Sequence, residues 1–251
     1  MSVEISIVMP SYSSEFFLHK TINSIINQTI KNWELIIVDD CSPDNSNEVI
    51  KSYIAKNSQI KLIQLEKNMG PSAARNRGIK ESKGRYIAFL DSDDIWASDK
   101  LEQQLNFMNK KDADISFTAY NLISEKQDER IGVFNIPEKI NYLQLLKNNV
   151  IGCSTVIYDT KNLGKVFFPE IKKRQDYALW LLILRKVDFA YGLNEPLTDY
   201  MLRENSVSSN RLSAAYYTWK VYKDVENLSL FKSFYYLSNH LLKGVKKYWW
   251  K

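Results

Sequence analysis

The chain has 251 residues, 45% of them hydrophobic and 25% charged, and a net charge of +5. That size and apolar share suit one large domain, or a domain with an appendage, and exclude a disordered chain. Two cysteines, Cys41 and Cys153, and two histidines, His19 and His240, exclude a disulfide framework and lack zinc-ligand spacing, while the longest apolar run, 178–184, is too short to span a bilayer.

The opening residues carry Glu4, no basic stretch and no long apolar stretch, so no signal peptide is expected and a reducing, cytoplasmic location is. A strand is predicted over 3–9 and ends in "PSYS"; a helix follows over 15–28, with Leu18, Ile22, Ile25 and Ile26 on one face. The pattern repeats as a strand over 33–39 ending in "DDCSPDNS", a helix over 46–56, a strand over 60–65 ending in "EKNMGPSAARNRG", and a weaker helix over 72–82. A fourth strand, 85–91, runs into "DSDD". Strand and helix in alternation make an α/β fold whose sheet is mostly parallel and flanked by helices, and ligands bind such sheets outside the carboxyl ends of the strands. The four polar strand ends are therefore expected on one rim.

Beyond Ser98 a helix to about 110 is predicted, then strands near 113–123 and 131–134, a helix near 140–148, a strand over 154–159, a buried helix over 175–186, and short strands near 187–191 and 197–202. The composition changes near 210. Residues 211–251 hold eight basic residues against Asp224 and Glu226, a charge of +6, and the remaining 210 residues carry −1. Basic character confined to a tail argues against a nucleic-acid-binding body.

Asp91 and Asp93 stand two residues apart at a strand end, a spacing that suits one hard cation shared with substrate phosphates. A solvated loop whose acids cap the next helix explains the same spacing equally well. A calcium EF-hand loop is excluded, because Ile95 and Trp96 stand where it needs an oxygen ligand and a glycine. A phosphoaspartate hydrolase would carry its acids on the first strand, with a Gly-Asp motif downstream that this chain lacks.

Three segments together, "SIVMPSYSSEFFLHKTINSIINQTIKNWELIIVDDCSPDNS", "NMGPSAARNRGIKESKGRYIAFLDSDDIW" and "KRQDYALWLLILRK", resemble family 2 glycosyltransferases of the GT-A fold, over roughly residues 4–210. The resemblance implies a metal-dependent inverting transfer of a sugar from a nucleotide-diphosphate donor, a UDP-sugar, to an acceptor hydroxyl, with Mn²⁺ or Mg²⁺. Pro10 and Tyr12 would wall the nucleobase pocket, and Asp39 would accept a uracil N3–H. Arg75 would face the diphosphate, Asp91 would contact the donor ribose or sugar, and Asp93 would hold the metal. Asp40 and Asp94 are expected to brace structure, and Arg77 to lie at the surface. Asp176 would be the catalytic base; the family usually has a second acid before it, where this chain has Gln175. Family members often carry a histidine near 200–210, where Arg203 stands here as a diphosphate contact.

Two other readings remain open. A sugar-phosphate nucleotidyltransferase would share the sheet, but should open on a glycine-rich phosphate loop that "PSYSSE" lacks. A nucleotide-sugar-binding protein without turnover draws on Gln175.

Residues 1–210 are thus expected to form the catalytic domain and 211–251 an amphipathic helical tail. That tail holds eleven of the 32 aromatic residues, interleaved with lysines, the pattern of a segment lying in a membrane interface. Packing on the body, or on a second subunit of a homodimer, is the alternative. An interfacial tail in turn points to a polyprenyl-diphosphate-linked saccharide as acceptor, in surface-polysaccharide assembly on the inner face of the cell membrane.

Overall fold

The computed structural model describes residues 3–126, 129–202 and 211–248. Its first third is β1 (Ile5–Ser11), α1 (Glu15–Ile26), β2 (Trp33–Asp39), α2 (Ser46–Ile54), β3 (Ile60–Gln64), α3 (Pro71–Glu81) and β4 (Tyr86–Phe89). Every residue of β2 and β4 is buried, as a strand covered by helices on both faces requires. The four strands pair in parallel in the order β3-β2-β1-β4. Helix α3 approaches β1 so closely that a Cβ on Gly78 would lie 2.5 Å from Val8 Cγ1. Gly70, at φ 87°, takes a left-handed turn into α3, and Pro71 occupies the first helical position.

The rest of the body is β5 (Ile95–Trp96), α4 (Lys100–Lys111), β6 (Ile115–Ser124), β7 (Glu129–Phe134), β8 (Lys139–Ile140), α5 (Tyr142–Lys147), a 3₁₀ turn at Cys153–Thr155, β9 (Ile157–Asp159), α6 (Thr160–Leu163), α7 (Gln175–Leu184) and β10 (Ala190–Leu202). The sheet continues as β4-β9-β6-β10-β5. Strand β9 is antiparallel to both β4 and β6, and β10 is parallel to β6. Two reversals restore direction, so β6 and β10 run with β1–β4 and end at the same rim.

Several boundaries differ from the sequence reading. The strand expected over 154–159 is a 3₁₀ turn followed by β9, because Ser154 turns aside to bond Asp94. The two strands near 187–191 and 197–202 are one strand, β10, whose register on β6 shifts on either side of Pro196. Proline lacks an N–H for the ladder, and its interruption reads in sequence as a gap. The short strands β5 and β8, two residues each, carry no periodic signal.

Beyond residue 210 come α8 (Arg211–Lys220), a π-helical stretch at Val221–Val225, and α9 (Leu230–Tyr248). One side of this segment docks on the body. Val221 and Tyr222 are buried in the cluster that holds Tyr177 and Trp180, and the Tyr222 hydroxyl donates to the Leu146 carbonyl at 2.6 Å. The Tyr142 hydroxyl donates to Glu226 at 2.5 Å, and Arg185 pairs with the same carboxylate at 3.8 Å. The other side is open: Phe231 is 90% exposed, and Phe234, Leu241 and Leu242 follow it along α9. The break near 210 is thus a change of surface chemistry over a continuous core. No helix among the described residues is long and apolar enough to cross a membrane.

Candidate functional site

The polar ends of β1, β2, β3 and β4 are joined by hydrogen bonds. The Asp40 amide donates to the Ser11 carbonyl and the Leu65 amide to the Asp39 carbonyl, both near 2.9 Å. Ser13 N–H reaches Ser42 Oγ at 3.1 Å, and Ser14 N–H reaches Ser46 Oγ at 3.0 Å. Ser14 Oγ meets Ser92 Oγ at 2.7 Å, and Thr21 Oγ1 donates to the Ser92 carbonyl at 3.0 Å. Asp40 accepts from the amides of Met69 and Gly70, each at 2.7 Å, and so braces the entry to α3 as its sequence position suggested.

Asp39 ends β2 and is only 1% exposed. Its Oδ2 accepts from the Ser42 amide and Asn47 Nδ2, and its Oδ1 from the Ser42 hydroxyl alone. A carboxylate oxygen offers about two acceptor positions, so one remains on Oδ1. Ser11 Oγ, opposite Asp39 in the β1–β2 ladder, and Oδ1 of Asn47, whose amide bonds Asp39, are buried without a hydrogen-bond partner, as are Ser72 Oγ and Arg75 Nε on α3. Pro10 is half-buried at the end of β1, and Tyr12 is 49% exposed beside it.

The three acids of "DSDD" divide. Asp94 is buried and accepts from the Ser154 hydroxyl at 2.5 Å and the Met201 amide at 3.0 Å, which ties the loop to β10. Burial, then the charges of Asp93 and Asp91, push its carboxyl well above the ordinary range. The Asp91 carboxylate pairs with Arg75 at 2.5 Å, and the Asp91 amide donates to Ser154 Oγ at 3.0 Å. Asp93 is half-buried at the opening. No group of three His, Cys, Asp or Glu side chains gathers among the described residues. The described residues therefore offer no closed metal cage, and a hard cation at this rim would need further oxygens from outside these side chains.

Arg75 is buried, with its guanidinium 5.3 Å from the Phe168 ring centroid, and pairs with Asp91. Asn76, its neighbour, exchanges two hydrogen bonds with the Phe168 backbone, at 2.7 and 2.9 Å. These contacts pull the segment before α7 onto the rim. Helix α7 starts after Arg174, which takes a left-handed φ of 64°, so Asp176 lies in its first turn and is no N-cap. Burial pushes the Asp176 carboxyl above its ordinary value, against the pull of Arg174, the Tyr177 amide and Arg75; the Asp91 charge adds to the rise. The lowering expected from a helix start is outweighed by desolvation. Gln175, where a second acid was looked for, donates to the Lys172 carbonyl at 2.7 Å and closes the loop.

The structure thus brings Pro10, Tyr12, Asp39, Arg75, Asp91, Asp93 and Asp176 to the carboxyl-end rim; Arg203 lies outside the described residues. Sequence reasoning missed Ser92 and Ser154, which tie the acidic loop to α1 and β10, and Cys153, whose thiol is pushed up by burial and faces Arg75, Asp91 and Asp176. It also missed Tyr200, packed 5.6 Å from Tyr120 and held protonated by burial and by the charges of Asp94 and Asp91. No local pattern marks these residues, because each acts on groups far away along the chain.

Residues 6–163 match the family model described as Glycosyl transferase family 2. The chain is 40% identical over 243 residues, 97% of its length and 96% of the relative's, to TuaG of Bacillus subtilis (strain 168), a glycosyltransferase provisionally assigned by its name to teichuronic acid biosynthesis. It is 39% identical over 245 residues, 97% and 94% of the two chains, to the Escherichia coli UDP-Glc:alpha-D-GlcNAc-diphosphoundecaprenol beta-1,3-glucosyltransferase WfgD. Among solved structures it resembles S. aureus TarS 1–349 in complex with UDP-GlcNAc, with a TM-score of 0.74 at 22% identity over 95% of this chain and 71% of that one. It also resembles the mannosyltransferase PcManGT from Pyrobaculum calidifontis in complex with GDP-Man and Mn2+, with a TM-score of 0.65 at 12% identity over 91% and 66%. At these identities the two structures speak to the GT-A fold alone.

Proposed function

The chain belongs to glycosyl transferase family 2 and is a glycosyltransferase, and from that premise we propose that it is a metal-dependent inverting enzyme moving a sugar from a UDP-sugar to a hydroxyl of a lipid-linked saccharide, in cell-surface polysaccharide assembly. One observation carries the chemistry: Asp176, with its carboxyl pushed up by burial, shares the rim and the electrostatic field of the Arg75–Asp91 pair. A carboxylate so raised is a better proton acceptor than an exposed one, because the Brønsted gain grows as the base approaches working pH.

Asp39, walled by Pro10 and Tyr12, takes the uracil N3–H on its remaining acceptor position. Arg75 orients Asp91 towards the donor ribose or sugar, and its unpaired Nε awaits an oxygen of that donor. Asp176 removes the acceptor proton as oxygen attacks the anomeric carbon from the face opposite the leaving nucleoside diphosphate. Asp93 would hold Mn²⁺ or Mg²⁺, which supplies Lewis-acid stabilisation of the charge growing on that diphosphate. Family membership removes the ground for the nucleotidyltransferase reading. The relative WfgD is named for a diphosphoundecaprenol acceptor, which supports a lipid-linked acceptor here. The open face of α9 and the basic tail support contact with the cytoplasmic surface of the membrane, with residues 1–210 as catalytic unit and 211–251 as its interfacial segment.

Asp176→Asn tests the base. It is expected to bind UDP and Mn²⁺ as the parent does and to transfer about 10²–10⁴-fold more slowly, the usual worth of general-base catalysis. The assay is release of UDP from a panel of UDP-sugars with Mn²⁺, with and without lipid-linked acceptors. Unchanged turnover would remove Asp176 from the mechanism; binding without turnover in the parent would favour the inactive form.

A further inference from the structure

Three consecutive cations, Lys172, Lys173 and Arg174, run directly into Gln175 and Asp176. Lys173 and Arg174 are half-buried and Lys172 is exposed. Among the described residues none of the three forms a salt bridge, although elsewhere Arg75, Arg85 and Lys61 each hold a carboxylate within 2.6 Å. Their positions are fixed: the Lys172 carbonyl accepts from Gln175 Nε2, and the segment is tethered upstream by the Asn76–Phe168 bonds. Asp176 acts on Arg174 through space without forming a salt bridge with it; adjacent like charges repel one another, and an anionic ligand relieves that repulsion.

Their location limits what the anion is. On one side Arg174 acts directly on the Asp176 carboxyl. On the other, Lys173 Nζ stands 6.0 Å from the ring centroid of Tyr217 in α8, in the segment whose outer face is open and apolar. The cations therefore lie between the proton acceptor and the helices proposed to meet the lipid. One residue, Gln175, separates Arg174 from Asp176, and their Cα atoms lie at most about 7 Å apart. That is the order of one sugar ring, the unit that in a sugar-diphosphate-lipid separates an attacking hydroxyl from the anomeric diphosphate.

We propose that Lys172, Lys173 and Arg174 form the subsite for the acceptor's diphosphate, so that the enzyme selects a sugar carried on a lipid diphosphate over the same sugar on an uncharged stem. The inference rests on the transferase reading above and adds the group by which the acceptor is recognised. A guanidinium fork and two ammonium groups suit the oxygens of a diphosphate. The donor's own diphosphate occupies the Asp93 side of the rim, so the two anions of the ternary complex are held by different residues.

The full chain, saturated with UDP and Mn²⁺ so that the donor site is filled, is titrated with undecyl-diphosphate-GlcNAc and with undecyl GlcNAc, which share sugar and alkyl chain. The diphosphate compound is expected to bind at least about tenfold tighter, the factor one charge-assisted hydrogen bond supplies. In Lys172→Gln/Lys173→Gln and in Arg174→Asn, chosen because asparagine accepts the left-handed backbone, the gap should shrink while UDP affinity stays at the parent value. Arg174→Lys, which keeps charge and loses the fork, should fall between and guards against a variant that fails to fold. Equal binding of the two compounds by the parent, or a gap that survives in the folded variants, would overturn the subsite. Sedimentation with phosphatidylglycerol vesicles separates a second source of phosphate: variants that lose vesicle binding and keep the gap would assign these cations to membrane headgroups and sink the proposal. If the parent fails to bind UDP, the transferase reading fails first, and the subsite with it.

Discussion

Asp176 and Lys100 show opposite uses of burial. For Asp176 the raised carboxyl has a kinetic consequence. The base works only when ionised, so the rate should fall with decreasing pH through a pKa above the ordinary carboxylate value of about 4. In Asp176→Asn that acid limb should vanish from the residual rate; a limb unchanged in the variant would assign it to another group. Lys100 is wholly buried, 3.8 Å from the Trp96 ring centroid, with no hydrogen-bond partner for its Nζ, and burial drives its pKa well below the usual lysine range. The unfolded chain then binds a proton that the folded chain releases. Stability should therefore climb with pH from the depressed folded value up to the free-lysine value of about 10.4. Lys100→Met is expected to raise stability at pH 7 by about 1–4 kcal/mol and to abolish that climb, checked by urea melts at several pH values. At this scale the bracing roles of Asp40 and Asp94 were legible in the sequence, and the hydrogen bonds each accepts agree with them. The packing of Phe168 on Arg75 was not legible, because Phe168 comes from a segment with no periodic signal.

Helix α3 does the most positional work among the elements. It carries Arg75 to Asp91, Asn76 to the segment before α7, and Gly78 to β1. Gly78→Ala gains helix propensity of about 1 kcal/mol but drives a methyl into Val8, whose branched side chain on a buried strand has little room to turn. Overpacking of that kind costs about 1–3 kcal/mol, so a net loss of stability is expected, with a lower thermal midpoint and weaker turnover as Arg75 shifts. An unchanged midpoint would mean that α3 rides more loosely on the sheet. The parallel half of the sheet was legible because each strand is a short, mostly apolar run beside a 3.6-residue pattern. The antiparallel half was not: β5 and β8 are too short for any period, and β10 is broken by Pro196. Strand order is set by long-range pairing, which no local window contains.

At the scale of the whole molecule, the catalytic rim and the aromatic tail belong to one body. The tail was legible as amphipathic from its interleaved aromatics and lysines, but its docking was not, since burial of Tyr222 and Glu226 depends on partners in α5 and α7. Phe231→Glu with Leu242→Glu changes only exposed positions of α9. These substitutions should change the stability by no more than about 0.5 kcal/mol, read from the thermal midpoint. They should also abolish sedimentation with phosphatidylglycerol vesicles and slow transfer to a long-chain lipid acceptor more than to a short soluble one. Retained sedimentation would assign the open face to something other than lipid.

The docking of Tyr222 and Glu226 has a last consequence. Because the helix that would rest on the bilayer is clamped to the same core that carries Asp176, the proposed base would ride at one altitude above the lipid, as the blade of a plane rides above its sole. A growing glycan would lift its tip past that altitude. An enzyme built this way would work near the start of a chain and leave longer products to others, with length set by the thickness of the fold.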